Sequence, residues 1–166
     1  KDGGKIYYEG MDTDLIKDRD RARLRNEKMG FVFQNSMLLE DFSALENVAM
    51  PLMIKGEKKK IALEKAQEYL KMVGIEERKN HRPIKLSGGE RQRTAIARAL
   101  ITEPSVVFAD EPTGSLDEKT SRIIEELLIE SVKKTNRGLI LVTHNPVFAS
   151  KAHKVFVLSN GVLNEK

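Results

Sequence analysis

Short, unbroken apolar runs mark the chain at residues 31–33, 106–109, 139–142 and 155–158. Such runs, rich in β-branched and aromatic residues, are typical of strands buried on both faces of a parallel sheet. Between the second and third runs, apolar residues recur every three or four positions from Ile123 to Val132, which predicts a helix. The pattern therefore predicts a βαβ unit, with a weaker strand over 5–9 and a turn at 160–161 after the last strand.

Residues 43–99 carry helical periodicity and no strand pattern. One predicted helix has a single apolar face and can end at Gly74; the face consists of Ala62, Ala66, Tyr69, Leu70 and Val73. We therefore expect an α/β core formed by residues 1–35 and 100–166, with a helical subdomain at 36–99. No internal repeat or low-complexity linker separates the two, so we expect one folding unit.

Composition narrows the class of protein. The 166 residues contain 29 Lys and Arg against 25 Asp and Glu, a net charge of +4, and no cysteine. The length is that of one domain, and the absence of cysteine excludes a disulfide scaffold and a thiol nucleophile. The positive surplus is modest, and the run Lys58-Lys59-Lys60 is typical of a solvated helix start, so we expect no nucleic-acid partner. No apolar run approaches the roughly 20 residues that cross a bilayer.

Two adjacent acids, Asp110 and Glu111, follow directly on the apolar run at 106–109. Ligands of doubly wound sheets bind outside the carboxyl ends of the strands, which is where this pair would lie. In nucleotide hydrolysis the first acid would hold Mg²⁺ and the second would polarise the attacking water. The alternative is an acid pair that only caps the next helix.

A second signal is Ser87-Gly88-Gly89-Glu90, at the start of a predicted helix. Ser87 and Glu90 fit a capping box. A capping box does not need the two glycines, because an interior glycine costs about 1 kcal/mol of helix propensity relative to alanine. Bare amides at a helix N-terminus suit a phosphate group.

Four segments resemble motifs of the ATP-binding cassette (ABC) ATPases, and they occur in that family's order. LSGGERQRTAIARAL resembles the signature motif, FADEPTGSLD the Walker B segment with the D-loop, LVTHN the His-switch and FVFQ the Q-loop. The resemblance implies an α/β fold of the P-loop NTPase (RecA-like) type: a parallel sheet core with an inserted ABC α-helical subdomain. It also implies ATP and Mg²⁺ as ligands.

The resemblance implies roles for individual residues. Asp110 corresponds to the Walker B aspartate that supports the metal, and Glu111 to the general base. Gln34 corresponds to the Q-loop glutamine that reaches the metal and the attacking water. His144 corresponds to the residue that contacts the γ-phosphate.

The signature residues imply a homodimer of nucleotide-binding domains. Ser87, Gly88, Gly89 and Glu90 would bind the γ-phosphate of ATP held by the opposite subunit. Asp117 corresponds to the D-loop aspartate that crosses the dimer.

A finer resemblance is carried by residues 38–52, 80–83 and 109–114, which are similar to the ATPase subunits of bacterial lipoprotein-releasing systems and related macrolide-export and cell-division cassettes. Two positions depart from that subclass: Ser115 replaces the usual Asn, and Asn145 the usual Asp. The resemblance implies a motor subunit on the cytoplasmic face of the inner membrane. It places the permease contact on an apolar segment that could otherwise be core; its members are Met37, Leu38, Leu39 and Phe42.

A Walker A motif, G-x-x-x-x-G-K-[ST], is missing from the chain. The only Gly-Lys pair, Gly4-Lys5, is followed by Ile6. We therefore expect an N-terminally truncated nucleotide-binding domain that lacks the N-terminal strands and the P-loop and is inactive in isolation. One alternative is a DNA-maintenance ATPase, although such proteins insert coiled coils or zinc modules before the signature; another is a non-catalytic interaction fragment.

Overall fold

The structure, a computed structural model, describes residues 3–166. Residues 1 and 2, which begin the predicted core segment 1–35, lie outside the described part. Short 3-10 turns occur at Thr13–Leu15, Glu76–Arg78 and Pro83–Lys85. The strands and helices are, in order, β1 Tyr7–Tyr8, β2 Met11–Asp12, α1 Asp18–Lys28, β3 Met29–Phe33, α2 Ala44–Ile54, α3 Lys59–Met72, α4 Gly88–Leu100, β4 Val106–Asp110, α5 Glu118–Lys134, β5 Gly138–Val142, α6 Pro146–Ala149, β6 Phe156–Ser159 and β7 Val162–Glu165.

The central sheet has the order β3-β4-β5, and all three strands are parallel. The predicted βαβ unit is confirmed as β4, α5 and β5. The register pairs Phe33 with Asp110 and Asp110 with Val142, so the three strands end at the same level. The residues that follow these strand ends are therefore brought to one edge of the sheet.

The hydrophobic core lies where α4 meets the sheet and the other helices. Val32 and Val107 of the sheet are buried, as are Ile96 of α4 and Ile124 of α5. The contact is close at Gly30, where a Cβ atom would come within 2.4 Å of the Ala99 carbonyl oxygen. The signature helix α4 is thus packed directly against the strand that leads to Gln34.

The helical segment agrees with the pattern of the sequence. Ser43 is the N-cap of helix α2 and forms a capping box with Glu46. Helix α3 carries buried Ala62, Ala66 and Leu70, and it ends before Gly74, whose φ of +71° favours glycine. Among residues 3–166, no helix is long and apolar enough to cross a bilayer.

The predicted burial of two strands is wrong. The run at 155–158 forms β6, but β6 pairs antiparallel with β7 instead of joining the parallel sheet, and its side chains are exposed. The predicted turn is confirmed: Asn160 and Gly161, with φ of +50° and +79°, form a two-residue hairpin loop that makes this local pairing possible. Strand β5 is also less buried than its apolar run indicates, since its residues alternate between exposed and half-buried.

The weak strand expected at 5–9 is only β1, two residues long and paired with β2. An apolar run identifies a strand, but it does not identify the neighbour that the strand takes. That choice depends on the turn and on contacts distant in sequence.

Candidate functional site

The site is built at the carboxyl edge of the central sheet. Gln34 follows β3 directly, Asp110 is the last residue of β4, and His144 lies two residues after β5. The parallel register places these three strand ends side by side. The predicted residues of the Q-loop, Walker B and His-switch segments are therefore brought to one edge, as ligand sites in such sheets require.

Glu111 and His144 form a direct pair. The carboxylate Oε1 of Glu111 accepts hydrogen bonds from the backbone N–H of His144 at 2.8 Å and from its ring Nδ1 at 2.9 Å. The hydroxyl of Thr143 approaches Oε2 at 3.4 Å. The Glu111 carboxylate is thus held by two successive residues of the neighbouring strand end.

The backbone of Glu111 is strained. Its φ is +43°, in the left-handed region that residues other than glycine seldom adopt. Its N–H donates to the Val142 carbonyl at 2.9 Å, and its own carbonyl accepts from Gly114 N–H at 3.0 Å. Strain held in this way by surrounding hydrogen bonds is characteristic of functional positions.

The pair is suited to proton transfer at a surface. The side chain of Glu111 is 22% exposed, whereas the His144 side chain is 81% exposed. A carboxylate that accepts a proton from water must be reachable and fixed in direction. Glu111 meets both requirements, and the exposed imidazole of His144 lies beside it.

Asp110 is exposed at the end of β4, and none of the hydrogen bonds or ion pairs among residues 3–166 involves its carboxylate. No group of three or more His, Cys, Asp or Glu side chains able to hold a metal occurs in this part of the chain. Mg²⁺ in nucleotide sites takes only one or two protein oxygens and completes its shell with phosphate and water. The donor set of Asp110 and Gln34 fits that mode, and it does not form a protein-only metal site.

The position of Gln34 is set by the segment after Glu111. A Cβ atom on Gly114 would lie 2.9 Å from Gln34 Nε2, so the amide packs against bare backbone. The hydroxyl of Ser115 donates to the Gln34 carbonyl oxygen at 3.2 Å. Ser115 replaces the Asn that is usual in the subclass that the chain resembles, and it still provides a hydrogen-bond donor at this position.

The signature segment forms the predicted capping box. The Glu90 N–H donates to Ser87 Oγ at 3.2 Å, and the Ser87 N–H donates to Glu90 Oε2 at 2.8 Å. Arg78 forms an ion pair with the same carboxylate at 2.8 Å. The backbone hydrogen bond from Ser87, aided by Arg78, lowers the pKa of Glu90 below its ordinary value.

The two signature glycines have a packing role that the sequence reasoning missed. A Cβ atom on Gly89 would lie 2.6 Å from Thr120 Cγ2, and one on Gly88 would lie 3.0 Å from Leu116 Cδ2. Bare amides for a phosphate are therefore not the only reason for glycine here. The start of α4 packs against the start of α5 too closely for side chains.

Asp117 caps α5 within its own chain. Its Oδ1 accepts from the Thr120 N–H at 3.0 Å, and its Oδ2 accepts from the Thr120 hydroxyl at 2.6 Å. These hydrogen bonds lower the pKa of Asp117. A cleft lies between the two helix starts, lined by Ser87, Gly88, Gly89, Glu90, Ser115, Leu116 and Asp117, among others. None of the hydrogen bonds within residues 3–166 joins the signature residues to Glu111 or His144.

Two polar residues of α4, which the sequence pattern did not single out, bind the backbone of the Q-loop segment. Arg98 donates to the carbonyls of Ser36 and Met37, at 2.7 Å and 2.5 Å. Both acceptors have positive φ. Gln92, almost fully buried, donates to the Phe33 carbonyl at 3.0 Å. Burial lowers the pKa of the Arg98 guanidinium. The sequence did contain a signal for these contacts, because Gln92 and Arg98 are polar residues on the core side of a helical pattern.

The apolar segment after the Q-loop is divided between surface and core. Met37, Leu39 and Phe42 are 61%, 45% and 38% exposed, whereas Leu38 is only 8% exposed. The expectation of a four-residue surface is therefore wrong for Leu38. Its side chain packs in the hydrophobic core and anchors the segment to it.

Comparison with known proteins agrees with the motifs and the fold described above. The family model of the ABC transporter matches residues 1–114. The fold and the site define an ATPase cassette domain, and the chain belongs to the ABC transporter family. The α/β fold of the P-loop NTPase type, predicted from the motifs, is thereby confirmed.

The chain is similar to several proteins named as the ATP-binding subunit of lipoprotein-releasing systems. The chain is 46% identical to the lipoprotein-releasing system ATP-binding protein LolD of Coxiella burnetii, over 98% of this chain and 70% of that protein. It is 48% identical to LolD of Colwellia psychrerythraea, over 96% of this chain and 62% of that protein. The predicted resemblance to lipoprotein-releasing ATPase subunits is confirmed.

A solved structure has the same fold. The ATP-binding cassette MJ0796, in a dimeric post-hydrolysis state bound to ADP and phosphate, matches with a TM-score of 0.89 at 35% identity. The match covers 99% of this chain and 73% of that one.

Proposed function

We propose that this chain forms the ATP-hydrolysing motor of a bacterial lipoprotein-releasing system or a closely related exporter. The observation that carries the proposal is the identity of nearly half with LolD across 98% of the chain. The Glu111–His144 pair at the strand ends supports the hydrolytic part of it.

In this proposal Asp110 and Gln34 would hold Mg²⁺, and the bound metal would neutralise charge on the phosphates of ATP. Glu111 accepts the proton of the attacking water through its partly exposed carboxylate. His144 keeps that carboxylate in place through two hydrogen bonds, and its exposed ring edge is available to the γ-phosphate.

The second half of the site comes from another subunit. Ser87, Gly88, Gly89 and Glu90 open into a cleft, without hydrogen bonds to the catalytic pair of their own chain in residues 3–166. The N–H groups at the start of α4 suit the γ-phosphate of ATP on a facing copy. Asp117, beside the same cleft, crosses to that copy. The proposed assembly is a homodimer without nucleic acid.

The membrane permease contacts the exposed residues Met37, Leu39 and Phe42 in this proposal, and the dimer sits on the cytoplasmic face of the inner membrane. These side chains lie on the helical subdomain, which we assign to residues 36–99, and the α/β core comprises 1–35 and 100–166. Arg98 connects the permease contact to the signature helix through its hydrogen bond to the Met37 carbonyl, and Gln92 of the same helix donates to the Phe33 carbonyl just before Gln34.

The helices between Gln34 and Leu86 do not favour the DNA-maintenance alternative. Helices α2 and α3 have 11 and 14 residues. Neither length suits the long coiled coil that such proteins insert at this point.

The test compares Mg-ATP binding by the 166-residue chain with binding by a form extended upstream through a Walker A motif. The extended form should bind Mg-ATP at least about a hundredfold more tightly than the 166-residue chain, because a P-loop supplies several charge-assisted hydrogen bonds at roughly 1.5 to 3 kcal/mol each. Calorimetric titration measures both. The extended form, joined to its permease in vesicles, should then hydrolyse ATP faster when a lipoprotein is present. If neither form binds nucleotide, the proposed ATPase function is wrong and the alternative of a non-catalytic interaction fragment is favoured.

A further inference from the structure

A buried carboxylate lies behind the His-switch, outside the residues that the proposed mechanism uses. Glu125 of α5 has a side chain that is only 4% exposed. Its Oε1 accepts from Asn145 Nδ2 at 3.2 Å, and its Oε2 accepts from Lys151 Nζ at 3.0 Å. A buried carboxylate is costly unless it is paired and hydrogen-bonded, so both partners are needed.

Asn145 uses both ends of its amide. Its Oδ1 caps α6 by accepting from the N–H groups of Val147 and Phe148, at 3.0 Å and 3.3 Å. Its Nδ2 is thereby directed at Glu125. Lys151 lies 5.7 Å from the ring centroid of buried Phe148, which ties the far end of α6 to the same cluster.

The cluster is joined to the catalytic pair by adjacent residues. The Asn145 backbone N–H donates to Thr143 Oγ1 at 3.1 Å, and the Thr143 hydroxyl in turn faces Glu111 Oε2. His144 lies between them and donates twice to Glu111. The direction of the exposed His144 ring therefore depends on the residues before and after it, and the residue after it is fixed by Glu125.

We propose that Glu125 is a positioning residue: its buried carboxylate holds the amide of Asn145 and thereby aims His144 at Glu111. This also accounts for the departure at position 145, where the resembling subclass has Asp. An Asp would keep the cap oxygen but would bring a second carboxylate to about 3.2 Å from Glu125 and offer no donor. The inference rests on the proposed roles of His144 and Glu111, although its test needs no nucleotide.

The test uses Asn145→Asp, Glu125→Gln, the two together, and Glu126→Gln as the exposed neighbouring control. Asp and Asn cap helices about equally well, so Asn145→Asp isolates the contact with Glu125. We expect it to lower Tm by about 5 to 10 °C, since one partner of a buried charged hydrogen bond is lost. The double variant restores an amide facing a carboxylate, and its Tm should return to within about 3 °C of the parent chain.

The positioning role is read from the His144 ring by long-range proton–nitrogen NMR in mildly alkaline buffer. In the parent chain Nδ1 carries the proton that it donates to Glu111, because a carboxylate only accepts. Asn145→Asp should shift the Nδ1 resonance toward that of an unrestrained histidine, and the double variant should restore it. Glu126→Gln should change neither Tm nor the ring signal.

Two results overturn the proposal. A Tm loss in Asn145→Asp with an unchanged His144 signal makes the cluster a structural feature only. A double variant as unstable as Asn145→Asp shows that the amide–carboxylate contact is not the cause. If Asn145→Asp does not fold, recovery of folding and of the Nδ1 signal in the double variant supports the inference, and failure to recover counts against it. Because no step involves ATP, these results are independent of whether the chain hydrolyses it.

Discussion

Asn47 is the buried residue whose loss should most directly disturb the surface proposed for the permease. Its side chain is fully buried in α2 and lies within hydrogen-bond distance of four backbone groups in the loop before the helix. Oδ1 accepts from the Leu39 N–H at 2.7 Å, and Nδ2 faces the carbonyls of Leu39, Phe42 and Ser43 at 3.0, 3.1 and 3.0 Å. The exposed apolar side chains of Leu39 and Phe42 therefore lie on the part of the loop whose backbone is hydrogen-bonded to the Asn47 amide.

The expected cost of Asn47→Ala follows from these bonds. Nδ2 has two hydrogens, which the three carbonyls share, so the amide makes the equivalent of three hydrogen bonds; at a net 0.5 to 1.5 kcal/mol each, these amount to roughly 1.5 to 4.5 kcal/mol. Water can reach part of the loop once the amide is gone, so we expect about 3 kcal/mol of lost unfolding free energy. For a domain of this size that corresponds to a Tm lower by about 6 to 12 °C.

The assay is thermal and urea denaturation of the 166-residue chain, together with limited proteolysis of residues 36–43. Asn164→Ala, on exposed strand β7, is the matched control and should change stability by no more than about 0.5 kcal/mol. Cleavage within 36–43 should accelerate in Asn47→Ala alone. A Tm within about 2 °C of the parent, with unchanged proteolysis, would refute the reasoning.

Three further predictions concern the candidate site and the proposed permease contact. In a form that carries a Walker A motif, Glu111→Gln should reduce ATP turnover by about 10² to 10⁴ while nucleotide binding is kept, because the amide cannot accept a proton; normal turnover would place the base elsewhere. Gly89→Ala should destabilise the chain by about 1 to 3 kcal/mol in urea unfolding because of the contact with Thr120 Cγ2. Thr120→Ser, which removes that methyl and keeps the hydroxyl bonded to Asp117, should recover part of the loss, and no recovery would exclude this clash as the cause. Leu39→Asp should weaken co-purification with the permease and leave the urea midpoint unchanged, whereas Leu38→Asp should unfold the chain because Leu38 is core; equal effects of the two would contradict the division between surface and core.

Local signals in the sequence were sufficient for the elements that carry the site. The capping box of Ser87 and Glu90 involves residues three apart, and the apolar run that ends in Asp110 is itself β4 with its exposed last residue. Such features depend on backbone propensity and on neighbouring side chains, so they can be recognised without knowledge of the fold. The Asn160-Gly161 turn was predictable for the same reason.

Contacts between residues distant in sequence were decided only by the tertiary structure. The pairing of β6 with β7, the partial exposure of β5, the fit of Gly89 against Thr120 and the contact of Glu125 with Asn145 each depend on which surfaces meet. A hydrophobic pattern specifies that a face is to be covered, but it does not specify the covering element, because burial is non-directional. Glu125 shows the limit most clearly: in the sequence it is one of many helical glutamates, and only the tertiary structure makes it a buried carboxylate in contact with Asn145 and Lys151.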